Sequence, residues 1–313
     1  MTTKLLGAPI RRSEDPRLVT GNGRYLDDLG HDAYEAAFVR SPHAHARIVD
    51  IDVSGALDVE GLVAIYTYDD LEADTSSRVA EPLPLLIPHP TLTHGRTPYA
   101  LARSEVNHVG EAIVMVVAEN RYIAEDAASR IVVEYDFLPA VVGIEVSREA
   151  ADLVHEDVPG NVAAVMVQAT GDADAAVDTA PHRLELDLAI ERSASMPMEG
   201  KGVLARWDDD DKSLLVHTST QTSTSVRQAV AAKLGLPVDR VEVVTPDVGG
   251  GFGVKIVHPW PEEVLVPWAA VRLGHPVKWT EDRREHFVSS AHERGQRHQV
   301  RVGYDDDGRL LGL

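Results

Sequence analysis

The sequence predicts an α+β protein built in two units, and three observations carry that prediction. Apolar residues alternate with polar ones in short runs through both halves, most clearly at Leu184, Leu186, Leu188 and Ile190. Two stretches have helical composition and helical punctuation: residues 225–234 before Gly235, and residues 262–273 before Gly274 and Pro276. Two acidic turns, Asp208-Asp209-Asp210-Asp211 and Asp305-Asp306-Asp307-Gly308, each lie between strand-like runs and read as hairpin tips.

Taken in order, residues 1–17 are polar and basic, an arm that needs a surface to lie on. The first unit, residues 18–142, opens at the turn Gly21-Asn22-Gly23. Residues 34–39, 46–53 and 62–67 read as short strands, with Ile48, Ile51 and Val53 set among charged neighbours. Five prolines from Pro82 to Pro98 forbid a helix and predict a long surface loop. Residues 111–119 read as a buried strand, 123–129 as an alanine-rich helix and 131–135 as a further strand. This unit is expected to close its own core. Residues 143–165, with Pro159-Gly160-Asn161 and little periodicity, read as a linker.

The second unit, residues 166–313, begins with a half-buried strand at 182–191. A hairpin of 202–207 and 213–217 follows, then the helix at 225–234 with Ser223 or Thr224 as its cap. A strand at 240–245, the helix at 262–273 and a last hairpin complete the unit. Its final strand, 310–313, leaves the sheet open, so an apolar face and a sheet edge are expected to lack partners.

Composition narrows the function. Thirty Lys and Arg against 50 Asp and Glu give a net charge of −20, which argues against a nucleic-acid partner. There is no cysteine, which removes disulfides, thiolate zinc sites, protein-bound iron–sulfur clusters and a cysteine nucleophile. The longest central apolar run, residues 112–118, falls far short of the roughly 18 residues of a membrane helix. Arg11-Arg12 is followed by Ser13-Glu14-Asp15-Pro16, where an export signal would be apolar. A soluble cytoplasmic protein is expected.

Three motifs carry possible chemistry. Gly249-Gly250-Gly251-Phe252-Gly253 follows the strand at 240–245, and glycines let a backbone approach a ligand and aim N–H groups at it. It matches neither a Walker loop nor the dinucleotide fingerprint. Gln221 lies just before the helix at 225, where an amide donor can hydrogen-bond an oxo group without adding charge. His43-Ala44-His45 has the spacing of a metal-binding pair, but the repeated strand–helix pattern that would supply its further ligands is missing.

Together these pieces resemble the large subunits of molybdenum hydroxylases, the xanthine dehydrogenase, aldehyde oxidase and aerobic carbon monoxide dehydrogenase family. Residues 11–17 with 20–25 resemble the family's opening, and Phe38 to Ala46 and Val109-Gly110-Glu111 through Ala128 its α/β hammerhead domain. Pro197-Met198-Glu199, Gly249 to Gly253 and Lys278 to Arg283 resemble the start of its molybdopterin-binding domain. The resemblance covers the whole chain in the family's order.

It implies a molybdenum ion held by a pterin dithiolene, frequently the cytosine dinucleotide form in bacteria, and by no side chain. Gln221 then hydrogen-bonds an oxo ligand of molybdenum, Gly249, Gly250, Gly251 and Gly253 pack against the metal, and Phe252 flanks the substrate. The His43 and His45 pair becomes structural. Oxygen comes from water, and electrons pass to 2Fe–2S and FAD groups on partner subunits. Family large subunits are more than twice this long, and their general-base glutamate lies beyond position 313, so no catalytic residue is expected here. The expected role is a portion of an enzyme hydroxylating an aldehyde or N-heterocycle. Carbon monoxide oxidation and a non-catalytic fragment are the alternatives.

Overall fold

The computed structural model describes residues 7–85, 91, 92, 94–256 and 259–313. After a short helix α1 (Asp15–Val19), the chain forms β1 (Tyr34–Arg40), β2 (Ala46–Asp52), β3 (Leu62–Tyr66) and α2 (Tyr68–Ala73). Then come β4 (Glu105–Val106), β5 (Ala112–Ala118), α3 (Arg121–Ser129) and β6 (Val132–Phe137). The described parts of the proline-rich stretch contain no helix, while Pro88 and Pro90 lie outside the described residues. Two short helices, α4 (Ile144–Glu149) and α5 (Ala173–Thr179), lead to β7 (His182–Ser193), β8 (Gly202–Asp208) and β9 (Ser213–Thr218). The chain continues through α6 (Ser223–Leu234), β10 (Val241–Val244), α7 (Pro261–Leu273), β11 (Val277–Thr280), α8 (Arg283–Ser289), β12 (Glu293–Tyr304) and β13 (Leu310–Gly312).

Seven strands make the main sheet, in the order β10-β9-β8-β11-β1-β5-β3. Its centre joins the two halves of the chain: β1 pairs in parallel with β11, Tyr34 opposite Val277. Residues 18–142, expected to close a core of their own, form one such cluster around Ala46, Val106, Ile113 and Ala127 and share another with the later half of the chain. Phe38 and Met115 share one buried cluster with Leu265, Trp268 and Trp279. The apolar run of β5 explains itself here, because its seven residues are all buried. Met115 and Val117 face that cluster, while Ile113, Val114 and Val116 help form a second core beneath the sheet β4-β2-β6.

Helices α3, α6 and α7 lie against the main sheet. Helix α6 starts two residues earlier than expected, at Ser223 with Thr222 as N-cap, and ends at Gly235 in the left-handed conformation. The stretch read as linker carries α4, which the spacing of its few apolar residues did not reveal. Gly110, at φ +91°, turns tightly below α8; a Cβ there would stand 2.1 Å from the Val288 carbonyl oxygen.

The third sheet, β13-β12-β7, corrects an expectation. Strand β7 was expected to be half-buried, but all twelve of its residues are exposed, with Leu184, Leu186, Leu188 and Ile190 between 41% and 47%. Its other face is charged: Arg301 pairs with Asp174 and Asp178 of α5 and with Glu185. Alternation reports which face is apolar, and nothing among the described residues covers this one. No helix of the described residues is long and apolar enough to cross a membrane.

Candidate functional site

Strand β10 delivers the chain to the glycine run, and Arg17 of α1 reaches Asp247 just ahead of it. Arg17 grips Asp247 through two hydrogen bonds of 2.5 and 2.6 Å, and the Arg24 N–H donates to the same carboxylate at 2.7 Å. The Arg17 guanidinium holds the Asp247 carboxyl well below the usual range. Residues 7–17 are otherwise exposed.

The loop is held at both ends by a buried ion pair. Glu199 Oε2 accepts from the Gly249 N–H at 2.8 Å and from Lys255 Nζ at 3.0 Å. Burial pushes the Lys255 amine down, and the neighbouring Glu199 carboxylate opposes it. The Lys255 main-chain carbonyl accepts the Gln221 N–H at 3.0 Å, so the lysine also seats the glutamine.

Gln221 and the five loop residues come together in one cluster. Gln221 Oε1 accepts the Gly253 N–H at 3.1 Å. That leaves Nε2 as its outward donor, unpaired with any described residue. Gly251 lies directly beneath it, since a Cβ there would stand 2.5 Å from Gln221 Oε1. A Cβ at Gly249 would meet Glu199 Cβ at 2.6 Å, and one at Gly250, φ +103°, would meet the Phe252 ring at 2.8 Å. These three glycines make room for the protein's own side chains. At Gly253, φ +90°, nothing stands within 4 Å of the Cβ position. Phe252 has φ +51° and is 70% exposed, while its carbonyl accepts from Ser195 Oγ at 2.9 Å.

The result is an open corner lined by a neutral amide donor, an aromatic ring and bare backbone. None of these is an ionised metal ligand, and the one side-chain donor, Gln221 Nε2, is neutral and suited to hydrogen-bond an oxygen of a group that brings its own ligands. Among the described residues no group of three or more His, Asp or Glu side chains could hold a metal ion. His43 and His45 engage different partners. His43 packs edge-on to Tyr135 and Phe137, while His45 contacts Glu105 at 3.0 Å and the Pro139 carbonyl at 2.8 Å. A cavity of about 590 Å³ lies elsewhere, bounded by Arg40, Glu111, Trp260 and Glu262, and includes none of the six.

Sequence reasoning missed Glu199 and Lys255 as supports and Ser195 as a contact of the loop. A lysine flanked by Val254 and Ile256 was the available signal, since a buried ammonium needs a counter-charge.

Comparison with known proteins gives two family matches. Residues 154–313 match the molybdopterin cofactor-binding domain, and residues 20–139 match the a/b hammerhead domain of aldehyde oxidase and xanthine dehydrogenase. The chain is 35% identical to the nicotine 6-hydroxylase large subunit of Paenarthrobacter nicotinovorans, with 100% of this chain and 38% of that protein covered. It is 33% identical to the carbon monoxide dehydrogenase large chain of Hydrogenophaga pseudoflava, covering 96% and 38%. The crystal structure of quinoline 2-oxidoreductase from Pseudomonas putida 86 superposes with a TM-score of 0.86 at 36% identity, covering 96% of this chain and 38% of the other. The chain thus spans about 38% of the length of these relatives.

Proposed function

Because the chain belongs to the molybdenum hydroxylase family and matches the N-terminal portion of its molybdopterin-binding large subunit, we propose that it forms one wall of a molybdenum site that hydroxylates an aldehyde or N-heterocycle. The observation that carries this reading is the Gln221 amide, bonded through Oε1 to the loop and left with Nε2 as a donor, on the loop that exposes the Phe252 ring and is held by the Glu199–Lys255 pair. The bound cofactor would supply the redox chemistry, with oxygen drawn from water. Within the chain, Gln221 donates to the cofactor, Gly249 to Gly253 bring the backbone against it, and Phe252 presents an apolar surface to the substrate.

In this reading residues 18–142 are the hammerhead unit, 143–165 the linker and 166–313 the first part of the cofactor domain. The rest of the molybdenum subunit, with the general-base glutamate, is a partner, and 2Fe–2S and FAD subunits accept the electrons. The relatives' names, a large subunit and a large chain, support such an assembly. The pterin would be the cytosine dinucleotide form and the setting cytoplasmic. N-heterocycles are favoured by the likeness to a nicotine hydroxylase and a quinoline oxidoreductase, and carbon monoxide is the second reading, favoured by the likeness to a carbon monoxide dehydrogenase.

The test uses Gln221→Ala in the completed complex. Losing a hydrogen bond to a charge-bearing group costs about 1.5–3 kcal/mol, which slows the chemical step roughly 10- to 150-fold per bound molybdenum. Full molybdenum occupancy with an unchanged rate would remove Gln221 from the site. Dye-coupled assays with N-heterocycles, aldehydes and carbon monoxide separate the substrate readings.

A further inference from the structure

Residues 195–199 run as a strap between the glycine loop and α8. Toward the loop, Ser195 Oγ donates to the Phe252 carbonyl, Pro197 abuts Gly250, and Glu199 takes the Gly249 N–H. On the other side, Arg283 Nη2 donates to the carbonyls of Pro197 at 2.7 Å and Met198 at 3.2 Å. His286, 2% exposed, meets the Ser195 carbonyl with Nε2 at 2.8 Å.

Behind His286 stands a buried polar cluster. Its Nδ1 lies 2.9 Å from Glu281 Oε2, and Lys201 Nζ lies 2.7 Å from Glu281 Oε1. Ser290 Oγ accepts from Lys201 Nζ at 2.6 Å. Burial pushes the Glu281 carboxyl up, but the His286 hydrogen bond and the Lys201 charge outweigh it and bring it down to about 2. Lys201 Nζ also stands 3.9 Å over the Trp260 ring, whose Nε1 donates to the Val254 carbonyl at 3.1 Å. The cluster therefore reaches the loop at Phe252 through Ser195 and at Val254 through Trp260.

We propose that Lys201, Glu281 and His286 are positioning residues that set the glycine loop, acting through Ser195 on the Phe252 carbonyl and so on the direction of its exposed ring. The role of that ring rests on the cofactor reading above, while the mechanical link does not. Phe252 needs such a hold because it is an L residue at φ +51°, a conformation it leaves readily when nothing fixes its carbonyl. A histidine suits the post, since one ring reaches a carboxylate on one side and a main-chain carbonyl on the other.

Hydrogen–deuterium exchange on the full chain tests the link, comparing a peptide across residues 248–255 with one from α7. Ser195→Ala and His286→Ala should each raise loop exchange roughly tenfold while α7 stays protected, and the double variant should add little. Ser195→Thr, which keeps the hydroxyl, should restore protection. Unchanged loop exchange in Ser195→Ala, or an equal rise in α7, overturns the proposal. If His286→Ala does not fold, His286→Phe, which keeps a ring there without its polar atoms, takes its place with the same expected rise, and unchanged loop exchange in it overturns the proposal. Molybdenum content and turnover of Ser195→Ala in the completed complex are a separate readout: a loosened loop with full cofactor content and unchanged turnover supports the link and removes the Phe252 ring from the substrate's side of the site.

Discussion

Replacing Glu199 by alanine should be among the most damaging single changes near the glycine loop. Its carboxylate lies 3.0 Å from Lys255 Nζ, with side-chain exposures of 15% and 1%. Removing one partner of a buried pair strands the other charge and costs about 3–5 kcal/mol. Water can approach from the Glu199 side, so the lower end applies, about 3 kcal/mol. The Gly249 N–H loses its acceptor as well, which adds about 1 kcal/mol. Urea unfolding at neutral pH should show this as a lower midpoint with an unchanged slope. Adding Lys255→Met removes the stranded charge and should recover about 2 kcal/mol, a coupling that independent sites lack. The deficit of Glu199→Ala should also shrink as the pH rises. Burial already lowers the Lys255 pKa, and without Glu199 it falls further, so the amine sheds its proton and its burial becomes less costly. A Glu199→Ala chain within about 1 kcal/mol of the parent, or a double variant as unstable as the two singles summed, would refute the ion-pair account.

Glu263 gives a pH dependence of known sign. Burial raises its pKa to about 7, against hydrogen bonds from the Trp260 N–H and Thr218. Between pH 4.5 and about 7 the folded state keeps a proton that the unfolded chain releases, so this group's contribution falls as pH rises, by on the order of 3 kcal/mol in all. Glu263→Gln should flatten that part of the stability–pH curve, and urea midpoints at either end of the window check it; an unaltered slope would place the proton elsewhere. Leu186→Lys probes the uncovered face of β7. In this chain alone it should change stability by no more than about 0.5 kcal/mol and reduce association in light scattering. In a completed molybdenum subunit it should cost about 2 kcal/mol or more if the face is covered there, and equal tolerance in both settings would show that nothing packs on it.

The elements that depend on local signals could be read from the sequence. Gly235 and Gly274 end their helices in the left-handed conformation, and the acidic turns after Asp208 and Tyr304 close antiparallel pairs. The glycine run at 249–253 was also legible, because an unusual composition announces a special backbone, whereas its meeting with Gln221 was implied only by the family resemblance. What stayed hidden depends on residues far apart in the chain. Glu199 looks like any surface carboxylate until Lys255 is seen beside it, and Ser195 has no signature until Phe252 needs its hydroxyl. The open final strand predicted an uncovered apolar face in the second unit, but not that it would be the one carrying Leu184, Leu186, Leu188 and Ile190, because a period of two assigns a face and says nothing about its cover.

The pairing of Tyr34 with Val277 has a consequence for how the chain is made. At a ribosomal rate of about 5–20 residues per second, the edge of β1 that β11 will occupy waits roughly 10 to 50 s for its neighbour to emerge. Through that interval Phe38 stays exposed where Trp279 will later meet it edge-on, with ring centroids 5.8 Å apart. The nascent N-terminal half is thus a sticky intermediate by construction. A holding chaperone that recognises an open strand edge beside bare aromatic surface would find its substrate there, and slower translation would lengthen that exposure.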